Sequence, residues 1–259
     1  MNELLLSLKG KVAVVTGSTR GIGFAISKEF AENNDATVIA CSRSKQSAVK
    51  SAEKIKGKTF AAEIGGVTNS SSIERFLQQI LSDHKRIDIL INNAGYPFDR
   101  EIWYKKIHEI TDDEVDRIID ADLKGSVRYQ GQLYILCCRM ISKRGVIINI
   151  SSTPAIAGYT KGAPYTIAKA ANIALTKCIA MEYGSKNIRA YTLALGNIAT
   201  LETYYSMTKN DRNKAAEEPS MKRGGRPAEV AKVVACIASC NFSFVTGITI
   251  VIDGGTVLL

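Results

Sequence analysis

Short apolar runs and longer amphipathic stretches take turns along this chain. KVAVVTG (Lys11 to Gly17) is a β-branched run that reads as a fully buried strand. Gly21 to Asn33 carries Ile22, Ala25, Ile26 and Phe30 on one helical face. TVIAC (Thr37 to Cys41) is strand-like, Ser44 to Lys56 is polar and helical, and KTFAAE (Lys58 to Glu63) reads as a third strand. Ser71 and Glu74 have the spacing of a capping box, which predicts the start of the next helix. IDILINNAG (Ile87 to Gly95) is a fourth strand ending in a turn. Thr111 and Glu114 form a second capping box, before a long helix predicted to reach about Arg139. GVIINISS (Gly145 to Ser152) is the fifth strand, and Pro164 opens a helix where its missing N–H is not needed. RAYTLAL (Arg189 to Leu195) is the sixth strand, Ala228 to Ser239 is helical, and ITIVID (Ile248 to Asp253) is the seventh strand.

Alternating strands and helices need crossover connections. They predict an α/β fold: a doubly wound, mostly parallel seven-stranded sheet with helices on both faces. No internal repeat or linker-like shift in composition interrupts the 259 residues, so residues 1–259 read as a single domain. In such sheets ligands sit beyond the carboxyl ends of the strands, and candidate chemistry is sought there.

Composition removes several classes. Hydrophobic residues make up 46% and charged residues 23%, with five prolines and no low-complexity tract, so the chain is neither disordered nor fibrous. No apolar run approaches the ~18 residues of a membrane helix, and Leu4–Leu6 is too short for a signal-peptide core. A cytoplasmic location without membrane association is therefore expected. The six cysteines show no CxxC pair, and His84 and His108 are the only histidines; the thiols are expected to be buried or half-buried, and no metal site is expected. The net charge of +9 comes from scattered basic residues rather than a cluster interleaved with aromatics, so no nucleic-acid partner is expected.

Thr16-Gly17-Ser18-Thr19-Arg20-Gly21-Ile22-Gly23 joins the first strand to the first helix. Its glycines allow a tight turn and close approach to a pyrophosphate, and the helix N-terminus favours the phosphate charge. After strand two, where an NAD enzyme usually places an acid, stand Ser42 and Arg43. With Arg20 in the glycine turn, these favour the 2′-phosphate of NADP, with NAD as the less favoured alternative. Tyr165-Thr166-Ile167-Ala168-Lys169 puts a phenol and an ammonium on one helical face, thirteen residues after Ser152. Tyr205 and Lys209 repeat the spacing in a polar stretch that reads as irregular, with no comparable serine.

The ordered set TGSTRGIG (Thr16 to Gly23), NNAG (Asn92 to Gly95), Ser152 and YTIAK (Tyr165 to Lys169) resembles the short-chain dehydrogenase/reductase family. GRPAEVA (Gly225 to Ala231) and TGITIVIDGG (Thr246 to Gly255) extend the resemblance over nearly the whole chain. It implies a single-domain Rossmann fold and a hydride-transfer enzyme. In that reading Tyr165 is the general acid/base, Lys169 lowers the phenol's pKa from ~10 and holds the nicotinamide ribose, and Ser152 orients the substrate carbonyl. It also implies cofactor contacts from Gly17, Ser18, Thr19, Arg20, Gly21, Ile22, Gly23, Ser42, Arg43, Val67, Asn92, Ala94, Gly95, Tyr165, Lys169, Gly196 and Ile198. Dimers or tetramers built on the central helices are expected, with Val257-Leu258-Leu259 as a buried tail.

Three positions depart from the family pattern. Asp122 stands where the family has an asparagine that supports a water chain to the lysine; its backbone carbonyl could still hold that water, or its carboxylate could relay a proton. Leu195-Gly196 replaces Pro-Gly. Gly66 stands where an adenine-binding acid is common, with Glu63 three residues earlier. On the substrate side, Phe98, Trp103 and Tyr104 are expected to pack a contact rather than line a pocket. A lid is expected at about residues 197–226, its Lys209, Arg212, Lys214, Lys222, Arg223 and Arg226 forming a solvated face. The expected substrate is a small carbonyl or alcohol, with a carrier-bound 3-oxoacyl thioester as the guess. A sugar or polyol dehydrogenase is one alternative, and a non-catalytic dinucleotide-binding regulatory protein another.

Overall fold

The computed structural model describes residues 7–64, 70–128, 131 and 145–258. Seven parallel strands form one sheet: β1 (Val12–Val15), β2 (Thr37–Ser42), β3 (Thr59–Glu63), β4 (Ile89–Asn92), β5 (Gly145–Ser152), β6 (Ile188–Leu195) and β7 (Ile248–Ile252). Their spatial order is β3-β2-β1-β4-β5-β6-β7. The sheet is thus wholly parallel, where the sequence predicted mostly parallel. Strand order reverses between β1 and β4, so the connections leaving these two strands diverge and open a crevice at their carboxyl ends.

The connections are α1 (Gly21–Lys28), α2 (Lys45–Ala52), α3 (Ser70–His84), α4 (Arg100–Tyr104), α5 (Asp112–Ile119), α6 (Pro154–Ala157), α7 (Ala163–Tyr183), α8 (Leu201–Ser206), α9 (Lys209–Glu217) and α10 (Pro227–Ala238). The strand pleat divides the core in two. Ala13 and Val15 of β1, Ile89 and Ile91 of β4, and Val146, Ile148 and Ile150 of β5 meet Ile26 and Phe30 of the α1 region and Val230 and Val234 of α10. Val12, Val14, Leu90 and Ile147 point the other way, onto Ile73, Leu77 and Ile80 of α3 and Ile179 of α7. Burial on both faces explains why these strands read as continuous apolar runs.

Several local expectations need correction. Ser71 lies inside α3, which begins at Ser70, so it does not cap that helix. The box at Thr111 and Glu114 does form, side chain to backbone in both directions. The segment around Tyr205 is helical rather than irregular: Thr200 caps α8 and Thr208 caps α9, each accepting a backbone N–H three residues on. Cys178 and Cys240 are exposed rather than buried. Leu258 is exposed in the single chain, and Leu259 lies outside the described residues, as do Cys137, Cys138 and most of the final third of the stretch predicted to be helical up to Arg139.

One buried acid holds the amino ends of β1 and β4 together. Asp88 accepts from the Val12 N–H at 2.9 Å, from Arg86 Nε at 2.7 Å and Nη2 at 2.5 Å, and lies 3.4 Å from Lys11 Nζ. Its hydrogen bond to Asp88 outweighs burial and, with the Asp88 charge, holds the Arg86 pKa above its ordinary value. Asp88→Ala would strand the Val12 N–H; both cations are partly exposed and can re-solvate, so the expected loss is about 1–3 kcal/mol. A urea midpoint equal to that of the unchanged chain would contradict this.

Candidate active site

The crevice is a cleft of about 2010 Å³. Its walls come from the turn after β1, the ends of β2, β4, β5 and β6, the start of α7, and α4, α8 and α9. At one end lies the glycine turn. Gly17 has φ +65° and Gly21 φ +54°, the left-handed backbone that suits glycine. Gly23 is a packing requirement: a Cβ there would lie inside contact range of the Gly17 carbonyl oxygen and 2.5 Å from Asn93 Nδ2. Thr16 ties this turn to the one after β4, its hydroxyl accepting the N–H groups of Asn93 and Ala94 at 3.0 Å each. The N-terminus of α1 has neither a capping side chain nor an acidic residue in its first turn. A phosphate group fits such an end, because the unsatisfied N–H groups and the helix dipole favour negative charge there.

Of the residues expected to contact the cofactor, Gly17, Thr19, Arg20, Ile22, Ser42, Arg43, Ala94, Gly95, Gly196 and Ile198 line the cleft. Ser18 and Asn92 serve differently. The Ser18 hydroxyl accepts from the Cys41 N–H at 2.7 Å and locks the turn to β2. Asn92 donates to Asn149 Oδ1 at 2.8 Å, and Asn149 in turn donates to Thr176 of α7 at 2.8 Å. That chain of amides fixes β4, β5 and the catalytic-helix candidate α7 in register. Val67 and Gly66 lie outside the described residues, while Glu63 is exposed at the end of β3. Lys50 and Lys54 of the α2 region join Arg43 on the rim, cations that the sequence reading missed. Arg20 meets Glu202 of α8 at 3.2 Å, so α8 reaches over the glycine turn. Cys41 also borders this end; burial pushes its thiol pKa up, so it stays protonated.

At the other end Ser152, Tyr165 and Lys169 converge on the same cleft. Ser152 ends β5 and donates to the Leu195 carbonyl at 3.2 Å. Gly162 (φ +64°) and Pro164 start α7, which carries Tyr165 and Lys169 one turn apart. Lys169 Nζ stands 5.5 Å from the Tyr165 ring centroid and donates to the Ile150 carbonyl at 3.2 Å. It also lies 2.7 Å from Asp122 Oδ1. Asp122 sits in a widened turn (Asp120–Lys124) that follows α5 and is 1% exposed. Burial would lower the Lys169 pKa; the Asp122 charge, the Tyr165 oxygen and the Asp122 hydrogen bond together reverse that and leave it raised. The Asp122 backbone carbonyl accepts from Asn172 Nδ2 at 2.8 Å.

The aromatic segment is not only packing. Phe98, Trp103, Tyr104 and Tyr159 line the cleft. Trp103 stands 5.6 Å from Tyr165, 5.6 Å from Phe98 and 6.0 Å from Tyr159 between ring centroids. Its ring lies over Gly162, where any Cβ would collide with it; that glycine was the available sequence signal. Of the basic residues expected to form a solvated face, Arg212, Lys214 and Arg226 border the cleft, whereas Arg223 pairs with Glu229 at 2.7 Å. Among the described residues no group of three or more His, Cys, Asp or Glu is placed to hold a metal ion, and no helix is long and apolar enough to cross a membrane.

A doubly wound parallel sheet with a glycine turn at the switch point and a serine, tyrosine and lysine on one wall defines an α/β oxidoreductase. A family model described as enoyl-(acyl carrier protein) reductase matches residues 17–257. The 3-oxoacyl-(acyl-carrier-protein) reductase of Thermotoga maritima is 35% identical over 257 residues, covering 98% of this chain and all of that protein. Glucose 1-dehydrogenase 2 of Bacillus subtilis is 30% identical over 255 residues, 97% of this chain and 96% of its own length. The crystal structure of the 3-oxoacyl-(acyl carrier protein) reductase of Brucella melitensis superposes with a TM-score of 0.89 at 28% identity, over 98% of this chain and 93% of that one. The chain belongs to the short-chain dehydrogenase/reductase family, and it is an oxidoreductase of the CH–OH and carbonyl pair.

Proposed function

We propose that this enzyme uses NADP(H) to interconvert a ketone and a secondary alcohol, with a 3-oxoacyl thioester as the substrate class. The observation that carries the reading is the meeting of Ser152, Tyr165 and Lys169 in one cleft that starts at the uncapped end of α1. Ser42 and Arg43 at the end of β2, with Lys50 and Lys54 nearby, offer hydrogen bonds and positive charge to a 2′-phosphate. The relatives named as 3-oxoacyl-(acyl-carrier-protein) reductases support the thioester.

Bound NADPH supplies the hydride that reaches the carbonyl carbon. Ser152 turns from the Leu195 carbonyl to donate to the substrate oxygen, and the Tyr165 hydroxyl gives that oxygen its proton. One hydride and one proton convert ketone to alcohol; solvent then restores the phenol. Lys169 stabilises the transient phenolate and holds the ribose hydroxyls. The segment from Asn197 to Arg226, with α8 over the glycine turn, acts as the lid. Assembly into dimers or tetramers belongs to the same reading, since exposed Met181, Phe244 and Leu258 leave apolar surface for such contacts; light scattering measures it.

A panel of carbonyls and alcohols with NADPH and NADH tests the proposal. NADPH oxidation with an acetoacetyl thioester supports it. Faster oxidation of glucose-like alcohols favours the sugar-dehydrogenase alternative, which the Bacillus subtilis relative motivates. Tight cofactor binding without turnover on any member rejects it and favours a non-catalytic binder. Arg43→Ala should raise KM for NADPH by roughly 10- to 100-fold, the worth of one charge-assisted contact, and leave KM for NADH nearly unchanged. An equal change for both cofactors would place the 2′-phosphate elsewhere.

A further inference from the structure

We infer that Asp122 is the fixed counter-ion of Lys169, a positioning residue that sets the working pH range of the site on its alkaline side through a carboxylate bridging the lysine and the loop after β4. The inference rests on the proposed roles of Tyr165 and Lys169. Two donors face the carboxylate from different elements. Oδ1 lies 2.7 Å from Lys169 Nζ on α7, and Oδ2 accepts the Tyr96 N–H at 2.9 Å. An amide could accept from only one of them and would turn its own N–H groups toward the other. Gly95 leaves the space: a Cβ there would lie 2.5 Å from Asp122 Oδ1. The carboxylate's backbone is held as well, by the bond from Asn172 to its carbonyl. Position 122 therefore accommodates a charged acceptor with both oxygens used and almost no access to water.

The charges around the pair are few. Tyr165 faces Lys169 from its own helix. The loop after β4 contributes the Tyr96 phenol, which packs in the same apolar cluster as Tyr165. β5 offers the Ile150 carbonyl to the ammonium, and Ser151 bonds the Lys169 carbonyl at 2.8 Å. Asp120 and Lys124, on the same turn as Asp122, pair with each other at 2.8 Å, the lysine exposed and the aspartate half-buried. Among the described residues Asp122 is thus the near negative charge for the Lys169 ammonium. A carboxylate favours the protonated amine, so its proton loss falls at higher pH than with a neutral residue at 122.

Asp122→Asn and Asp122→Ser test this, each first confirmed to bind NADP+ as a check of folding. The pH dependence of carbamylation of Lys169 by cyanate, read by mass spectrometry, reports the neutral amine without any turnover. Its midpoint should fall by about one pH unit or more in both variants, a roughly ten-fold gain in reactivity at a fixed pH below the midpoint. The midpoint is insensitive to a change in access alone. For the alcohol–ketone pair found by the panel, the alkaline limb of the pH–rate profile should move to lower pH. A midpoint that stays in place or rises in either folded variant overturns the inference. A chain inactive on every panel member would instead defeat the proposed function, while the labelling result would still decide the ion pair.

Discussion

Tyr165→Phe is expected to lower kcat/KM for carbonyl reduction by about a thousand-fold while leaving the dissociation constant for NADPH within about two-fold. General acid catalysis by a positioned side chain is worth roughly 10²–10⁴ in rate, and the phenol is the proton donor the proposed cleft provides beside Ser152. The ring itself is kept in the variant, so its edge contact with Trp103 and its place in the cluster of Ile102, Ile118 and Ala168 survive. The loss should therefore appear in kcat, with little change in thermal stability. A variant that retains a tenth or more of the activity would remove Tyr165 as the acid.

The second large effect is expected from Gly23→Ala, through the backbone rather than a reacting group. The new Cβ would overlap the Gly17 carbonyl and the Asn93 amide, and that amide already donates to the Thr16 carbonyl at 2.9 Å and the Gly17 carbonyl at 3.2 Å. Neither neighbour is the free end of a flexible side chain. Relief requires α1 to move away from the turns after β1 and β4. Overpacking of this kind costs about 1–3 kcal/mol, which corresponds to a fall of roughly 2–12 °C in Tm for a chain of this size. Displacing α1 also moves its N-terminus from the phosphate position, so NADPH affinity should fall at least ten-fold. Calorimetry and fluorescence titration read the two effects separately. Unchanged affinity in the variant would show that the pyrophosphate does not rest on this turn.

The inner strands were legible because burial on both faces makes them continuous apolar runs; β5 matches its predicted limits from Gly145 to Ser152. The end of the chemistry that depends on local order was legible too: the glycine turn, Ser152, and the Tyr165–Lys169 pair on one helical face. Where the sequence reading went astray, polar side chains or distant contacts decide the structure. The segment around Tyr205 has no apolar period to announce helices; Thr200 and Thr208 start α8 and α9 by capping. Ser71 imitates a cap although α3 has already begun. Trp103 joins the cleft because the backbone at Gly162 leaves room for an indole, a contact between separate elements. The grip of Asp122 on Lys169 is of the same kind: the widened turn after α5 and the α7 register both have to form before the two charges meet.

A crystal structure of the chain with NADP+ bound bears most directly on the reading of the cleft. The pyrophosphate is expected at the N-terminus of α1, the 2′-phosphate within reach of Arg43, and the nicotinamide ring beside the hydroxyls of Ser152 and Tyr165 with its ribose on Lys169. A dinucleotide bound elsewhere, or a nicotinamide ring lying away from those three side chains, would contradict that reading.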